Sequence, residues 1–252
     1  MVNQMEQTGR EFLKKTQYQY LPPSDQMVGR TQPPLEVPYT NGGEEIPLPP
    51  MTSVAIPQTD LARAIRHRES RRTYHKEPVT IDELAWLLWS TQGVKRRNGN
   101  EYTFRTVPSA GARHAFETYV LVNNVEGVAP GLYRYLALSH TLAEVTRDAG
   151  LADSLFQACL YQQFVKENAV TILWVAVPYR MTWRYGERGY RYLFLDAGHV
   201  CQNLYLAAEA VGCGVCAIGA YDDEAVNTIF GLDGIEQFVI YIATVGRMTA
   251  RT

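Results

Sequence analysis

The chain has few of the signatures by which proteins commonly hold nucleotides or cleave bonds. It contains no GxGxxG and no GxxxxGK[ST], so neither a dinucleotide fingerprint nor a P-loop is available to carry phosphate. It has no G-x-S-x-G and no HExxH, which removes the nucleophile elbow and the zinc-protease helix. Charge of one sign is also missing. The net charge of −2 over 252 residues gives no electrostatic footprint for nucleic acid. Four cysteines, Cys159, Cys201, Cys213 and Cys216, are too few for a disulfide scaffold at this length. Apolar runs such as Val170–Pro178 are far too short to span a bilayer, and Met1 to Gln19 has no apolar signal core. These absences point to a cytoplasmic protein with no membrane and no nucleic-acid partner.

Proline is unevenly distributed. Residues 21–57 hold most of it, including Pro22-Pro23, Pro33-Pro34 and Pro49-Pro50. Proline removes backbone donors and disfavours helix in the residue before it, so this stretch reads as an extended arm. A short helix (Glu6–Lys15) precedes it. Leu35, Val37, Tyr39, Ile46 and Leu48 give the arm apolar side chains for docking, either as a tethered tail or across to a partner subunit. The division is an N-terminal helix and arm over 1–57 and a folded domain over 58–252.

Within the domain, Leu61, Ala64 and Ile65 share one helical face. Thr80-Ile81-Asp82-Glu83 is a capping box, opening a helix that stops near Gly93. Arg96–Asn100 reads as a polar loop. Thr118–Val122, Gly131–Leu136, Val170–Val177, Val215–Gly219 and Phe238–Val245 read as strands. Leu151–Phe164, Tyr192–Val211 and Asp222–Phe230 read as helices. The pattern is α+β, a mixed sheet flanked by helices.

Four clusters carry polar chemistry. Arg68-Glu69-Ser70-Arg71-Arg72-Thr73-Tyr74 offers guanidinium forks and hydroxyls suited to a phosphate monoester, or else a solvated basic helix end. Pro108-Ser109-Ala110-Gly111, between Arg105 and Arg113-His114, lets backbone approach a flat ligand, or is an ordinary turn. Cys213-Gly214-Val215-Cys216 has CxxC spacing. His199 and Cys201 are two apart on one helix and point to different faces, so the four do not form a metal site, and buried structural cysteine is the better reading. Trp183 to Tyr192 alternates basic and aromatic residues, as a lid, a subunit contact or a solvated helix entry.

In this order, the segments resemble the FMN-dependent nitroreductase superfamily, and more closely its SagB-type dehydrogenase branch, which includes azoline oxidases. The resemblance is carried by Arg68 to Tyr74, Leu84 to Gly93, Arg105 to Glu117, Gly131 to Tyr135, Tyr190 to Glu209, Gly212 to Gly219 and Val245-Gly246-Arg247. It covers about residues 59–247.

The resemblance implies a homodimer with FMN at the subunit interface. It assigns Arg68, Ser70 and Arg72 to the phosphate and ribityl chain, completed by Arg247. Pro108, Ser109, Ala110 and Gly111 would line the isoalloxazine from the partner subunit, and Ala217, Ile218 and Gly219 would run beside flavin N5. It implies hydride transfer to or from N5 on a small-molecule or peptide substrate. The branch's azoline oxidases are associated with a Lys-Tyr pair, and this chain has no Lys-Tyr dipeptide. Arginine stays protonated and cannot replace lysine as a base, which leaves Tyr185 and Tyr192 as the candidate proton-handling residues. The alternative is a flavin-binding or scaffold subunit of a modification complex with no turnover of its own.

Overall fold

The computed structural model describes residues 7–40 and 42–248. The first helix, α1, spans Thr8–Lys15; Glu6, placed at its start by sequence, lies outside the described residues. Helix α2 (Leu61–His67) starts where the Asp60 carboxylate accepts the Ala62 N–H at 2.9 Å. Helix α3 (Ile81–Gln92) has both hydrogen bonds of the expected capping box. It is followed by α4 (Leu151–Ala158), α5 (Pro178–Tyr185), the 22-residue α6 (Gly189–Ala210) and α7 (Asp223–Ile229).

The strands are β1 (Glu45–Pro47), β2 (Tyr74–His75), β3 (Val94–Asn98), β4 (Tyr102–Arg105), β5 (Phe116–Val122), β6 (Gly131–Leu136), β7 (Thr141–Thr146), β8 (Val170–Ala176), β9 (Cys213–Ile218) and β10 (Phe238–Met248). Eight form one sheet in the order β1-β7-β6-β5-β8-β10-β2, with β9 also paired to β10. The fold is α+β as expected. All ladders between these strands are antiparallel, and parallel contact is limited to isolated bridges such as Ser70–Val215 and Val79–Val125. Every residue of β8 is buried, because helices cover both faces of the sheet. On one face, Leu84, Leu87 and Leu88 of α3 share a core with Leu193, Val200 and Leu204 of α6. On the other, Leu155 of α4 and Val226 of α7 pack with Leu173 and Ile242.

The proline-rich arm lies on its own chain. β1 adds to the sheet edge beside β7, and the Trp183 indole donates to the Arg30 carbonyl at 3.0 Å. The Arg180 Nε–H donates to the Pro34 carbonyl at 2.9 Å, and the Val37 N–H donates to the Glu117 carboxylate at 2.8 Å. Glu117 is fully buried between the guanidiniums of Arg134 and Arg180. Burial pushes its carboxyl up, but the two cations and the Val37 N–H outweigh that and hold it below the ordinary value. A buried ion triad thus clasps the arm.

Three local expectations change. Of the expected loop 96–100, only Gly99 and Asn100 turn: residues 96–98 belong to β3, which forms a separate hairpin with β4, and most of β3 is exposed, so no apolar alternation marks it. The helix from Leu151 ends at Ala158, because Leu160 and Tyr161 adopt φ of +56° and +58° and Gln162 Nε2 donates to the Cys159 and Ala220 carbonyls instead. On α2 only Ala64 is buried; Leu61 and Ile65 face outward.

Candidate functional site

After α2 the chain extends and runs beside β9. Arg71 N–H donates to the Val215 carbonyl at 2.8 Å, next to the Ser70–Val215 bridge. This brings Ser70 to Tyr205 of α6, with the two hydroxyl oxygens 2.9 Å apart. The same Tyr205 oxygen accepts the Ala217 N–H at 2.9 Å, and the Arg68 guanidinium lies over the Tyr205 ring at 5.2 Å. One phenol therefore joins two parts of the chain, the Arg68–Ser70 segment and Ala217. Ile218 is buried at the end of β9, whereas Gly219 is exposed, and a Cβ built on it would meet nothing within 4 Å. Backbone is open to a ligand there.

The other arginines diverge. Arg72 reaches the Phe164 ring at 5.9 Å, and Arg71 pairs with Glu69 while its stem packs on Gly214. Arg247 is occupied by protein. Its two terminal nitrogens donate to both Glu83 carboxylate oxygens at 2.8 and 2.7 Å, to the Val211 carbonyl at 2.9 Å and to the Pro78 carbonyl at 3.0 Å. It ties β10 to the start of α3. Among the described residues, Arg68 and Arg72 have no carboxylate partner.

The Pro108–Gly111 loop sits at the other end of α6. Ala110 N–H donates to the Asp196 carboxylate at 3.3 Å, and Ser109 Oγ accepts the His114 N–H at 2.9 Å. Gly111 and Ala112 have φ of +59° and +55°, and after right-handed Arg113 the backbone returns to φ +43° at His114. Burial, foremost, pushes the Asp196 carboxyl up, and its second oxygen has no partner. Burial beside Arg105 pulls His114 down to about 3, so this imidazole is neutral. A cleft of about 440 Å³ lies against the loop, lined by Lys95, Phe104, Pro108, Ser109, Ala112 and His114 among others.

Tyr185 and Tyr192 stand beside this loop. Their rings meet edge to face with centroids 4.8 Å apart. A Cβ on Gly111 would fall 2.5 Å from the Tyr185 hydroxyl. Tyr192 is held by the arm: its oxygen lies 2.9 Å from the Tyr18 hydroxyl and accepts the Arg188 Nε–H at 2.8 Å. Burial pushes the Tyr192 phenol up, but Tyr18, Arg188 and Arg191 together hold it below its ordinary value.

The cysteines are buried thiols. Burial pushes Cys159, Cys201 and Cys213 each up to about 12, and the described residues contain no cluster of His, Cys, Asp and Glu arranged to hold a metal. No helix among them is long and apolar enough to cross a membrane.

The Tyr205 cluster and the Pro108–Gly111 loop flank one long helix behind an antiparallel sheet. Residues 65–247 match the model of the nitroreductase family. The chain belongs to that family. It is thereby a nitroreductase-family oxidoreductase. A nitroreductase-type protein of Methanocaldococcus jannaschii, MJ1384, is 36% identical over 193 residues, which are 76% of this chain and 93% of that one. The trifolitoxin-processing protein TfxB of Rhizobium leguminosarum bv. trifolii is 29% identical over 163 residues, 62% of this chain. A nitroreductase-type structure from Anabaena variabilis superposes with TM-score 0.65 at 29% identity over 82% of this chain. This chain spans only 44% of TfxB and 42% of the Anabaena chain. Two further structures share the fold. The Escherichia coli microcin synthetase McbBCD complex gives TM-score 0.60 at 19% identity, covering 96% of this chain and 92% of that one. A Desulfovibrio desulfuricans protein in complex with FMN gives 0.52 at 19%, covering 77% and 92%.

Sequence reasoning missed Tyr205, Asp196 and Tyr18. A hydroxyl-bearing aromatic in the otherwise apolar stripe of α6 was the available signal for Tyr205.

Proposed function

We propose that this chain is an FMN-dependent oxidoreductase of the SagB-type branch, acting in the cytoplasm as a homodimer with FMN at the subunit interface. The observation that carries the reading is the Tyr205 phenol, which joins Ser70, Ala217 and the Arg68 guanidinium into one cradle. Arg68, with no carboxylate partner, and the Ser70 hydroxyl fit the phosphate and ribityl oxygens of FMN; Arg72 lies over the Phe164 ring and would have to turn to join them. The Ala217–Gly219 backbone, open at Gly219, fits the edge of a flat ring. Arg247, expected to complete the anchor, is engaged instead by Glu83 and the Val211 and Pro78 carbonyls. When bound, FMN supplies hydride exchange at N5.

The long helix supports the dimer. Asp196, which holds the Pro108–Gly111 loop, and Tyr205, which holds the cradle, are nine positions apart on α6. That is about 14 Å along the axis and half a turn around it. A two-fold pair of chains would set the loop of one beside the cradle of the other. Phe194 and Leu195, each 59% exposed on α6, give the pair an apolar contact surface.

Tyr185 and Tyr192 would move or hold the proton that accompanies hydride transfer. Tyr185 stands at the loop, and Tyr192 is polarised by Arg188. The substrate is a small molecule or a peptide; the likeness to TfxB and to the McbBCD fold supports peptide modification, including a role as a subunit of a larger complex. The test is spectroscopic. Purified protein is expected to be yellow and to bleach anaerobically with NAD(P)H or substrate. Colourless protein that gains no stability from added FMN defeats the reading, and flavin that binds but never bleaches selects the non-catalytic subunit.

A further inference from the structure

Two donor-bearing side chains cross the loop at Gly111. A Cβ there would fall 2.5 Å from the Tyr185 hydroxyl and 2.9 Å from both Cδ and Nε of Arg184. Both side chains therefore lie directly on the loop backbone. Neither donor has a protein acceptor: among the described residues, the Arg184 guanidinium and the Tyr185 hydroxyl make no hydrogen bond, and Arg184 only overlies the Tyr185 ring at 5.7 Å.

A second guanidinium sits behind them. Arg113 donates to the Gly111 carbonyl at 3.0 Å and the Glu101 carbonyl at 3.0 Å, with no carboxylate partner. Burial first, and then the like charge of Arg184, pulls Arg113 below its ordinary value. Buried Arg113 and exposed Arg184 thus both reach Gly111 without a carboxylate partner, an arrangement that an anion relieves. The donors are also held in place. The Tyr185 ring rests on Tyr192, which Tyr18 and Arg188 clamp.

We infer that Arg184 and the Tyr185 hydroxyl form a clamp for an anionic oxygen group on the substrate, so that this protein selects planar acceptors carrying a carboxylate or phosphate. The inference rests on the proposed function, because it places the substrate over the loop that lines the flavin. It gives Arg184 a task that its permanent charge suits: recognition of an anion, where a lysine would be free to act as a base.

The test uses FMN-loaded protein titrated calorimetrically with 4-nitrobenzoate and with its neutral analogue 4-nitrobenzamide. Wild type is expected to favour the carboxylate by about tenfold or more, the scale of a hydrogen bond to a charged group. Arg184→Gln is expected to bring the ratio to about one, Arg184→Lys to restore part of it, and Tyr185→Phe to reduce it. A wild-type ratio near one, or an unchanged ratio in Arg184→Gln, overturns the clamp. Loss of FMN from Arg184→Gln also overturns it, since the guanidinium would then serve the cofactor. Flavin absorbance of each protein separates the two readings. Protein that takes up no FMN refutes the proposed function, and the same titrations on that apoprotein still judge the clamp.

Discussion

The Tyr205 hydroxyl lies 2.9 Å from Ser70 Oγ, across 135 residues of sequence, while accepting the Ala217 N–H at 2.9 Å. A phenol in this position can donate to Ser70 and accept from Ala217 at once, so it sets the spacing between the basic segment and the end of β9. Tyr205→Phe removes both hydrogen bonds and leaves the ring. FMN affinity is expected to fall about fivefold to a hundredfold, at about 0.5–1.5 kcal/mol for each of the two bonds, and the melting temperature of the apoprotein is expected to fall by several degrees. Flavin fluorescence titration and thermal melts check the two effects separately.

The arginines are expected to separate into two groups. Arg68→Ala with Arg72→Ala should weaken FMN retention far more than it destabilises the apoprotein; equal FMN affinity would refute the anchor assignment. Arg247→Ala should do the reverse, costing about 1–2 kcal/mol of apoprotein stability by removing charge-assisted bonds to Glu83. A pH dependence accompanies this. Burial pushes Glu83 up, but Arg247 and the Thr80 cap outweigh it, so its folded carboxyl titrates below the ordinary 4.5. That contribution is present in full above 4.5 and is lost as pH falls through the lower folded value. Denaturation in Arg247→Ala should therefore depend less on pH in the acid range.

Glu117→Gln leaves Arg134 and Arg180 buried with a neutral partner. Breaking such a buried pair costs on the order of 3–5 kcal/mol. The arm should loosen with it, because Val37 and Pro34 bond into the same triad. Limited proteolysis within residues 30–45 should accelerate before the core unfolds, and hydrogen exchange would show the same order.

Phe194→Glu places a charge on the exposed face of α6. Dimers should dissociate, as read by light scattering, and flavin should be lost with them, since each proposed site takes its loop from the partner. Monomers that keep FMN would contradict the two-chain site.

Gly111→Ala forces a Cβ onto left-handed backbone and against the Tyr185 hydroxyl. Destabilisation of about 1–2 kcal/mol is expected. Tyr185→Phe in the same chain should recover part of it by removing the oxygen that the Cβ meets, leaving the backbone strain, and a double-mutant cycle measures the recovered share.

By itself, the sequence determined the α+β class, the capped helices, the buried strand β8 and the ordered motifs by which the family is recognised. These rest on rules that act within a few residues: a capping box, a run of β-branched side chains, a glycine in a turn. It pointed to Arg68, Ser70 and Ala217 without showing that they meet. The hairpin at Val94–Arg105 stayed hidden because its first strand is exposed on both faces and carries no alternation. Only the tertiary structure decided which cations remain available. Arg247 and Arg72 read alike in sequence, yet folding sets Arg247 against Glu83, 164 residues away, and leaves Arg72 without a carboxylate. Tertiary structure likewise set Asp196 against the Pro108–Gly111 loop and Tyr205 against Ser70, and laid the arm across its own chain. Pairings of this kind depend on which surfaces pack together after the chain collapses, and no spacing along the sequence encodes that distance.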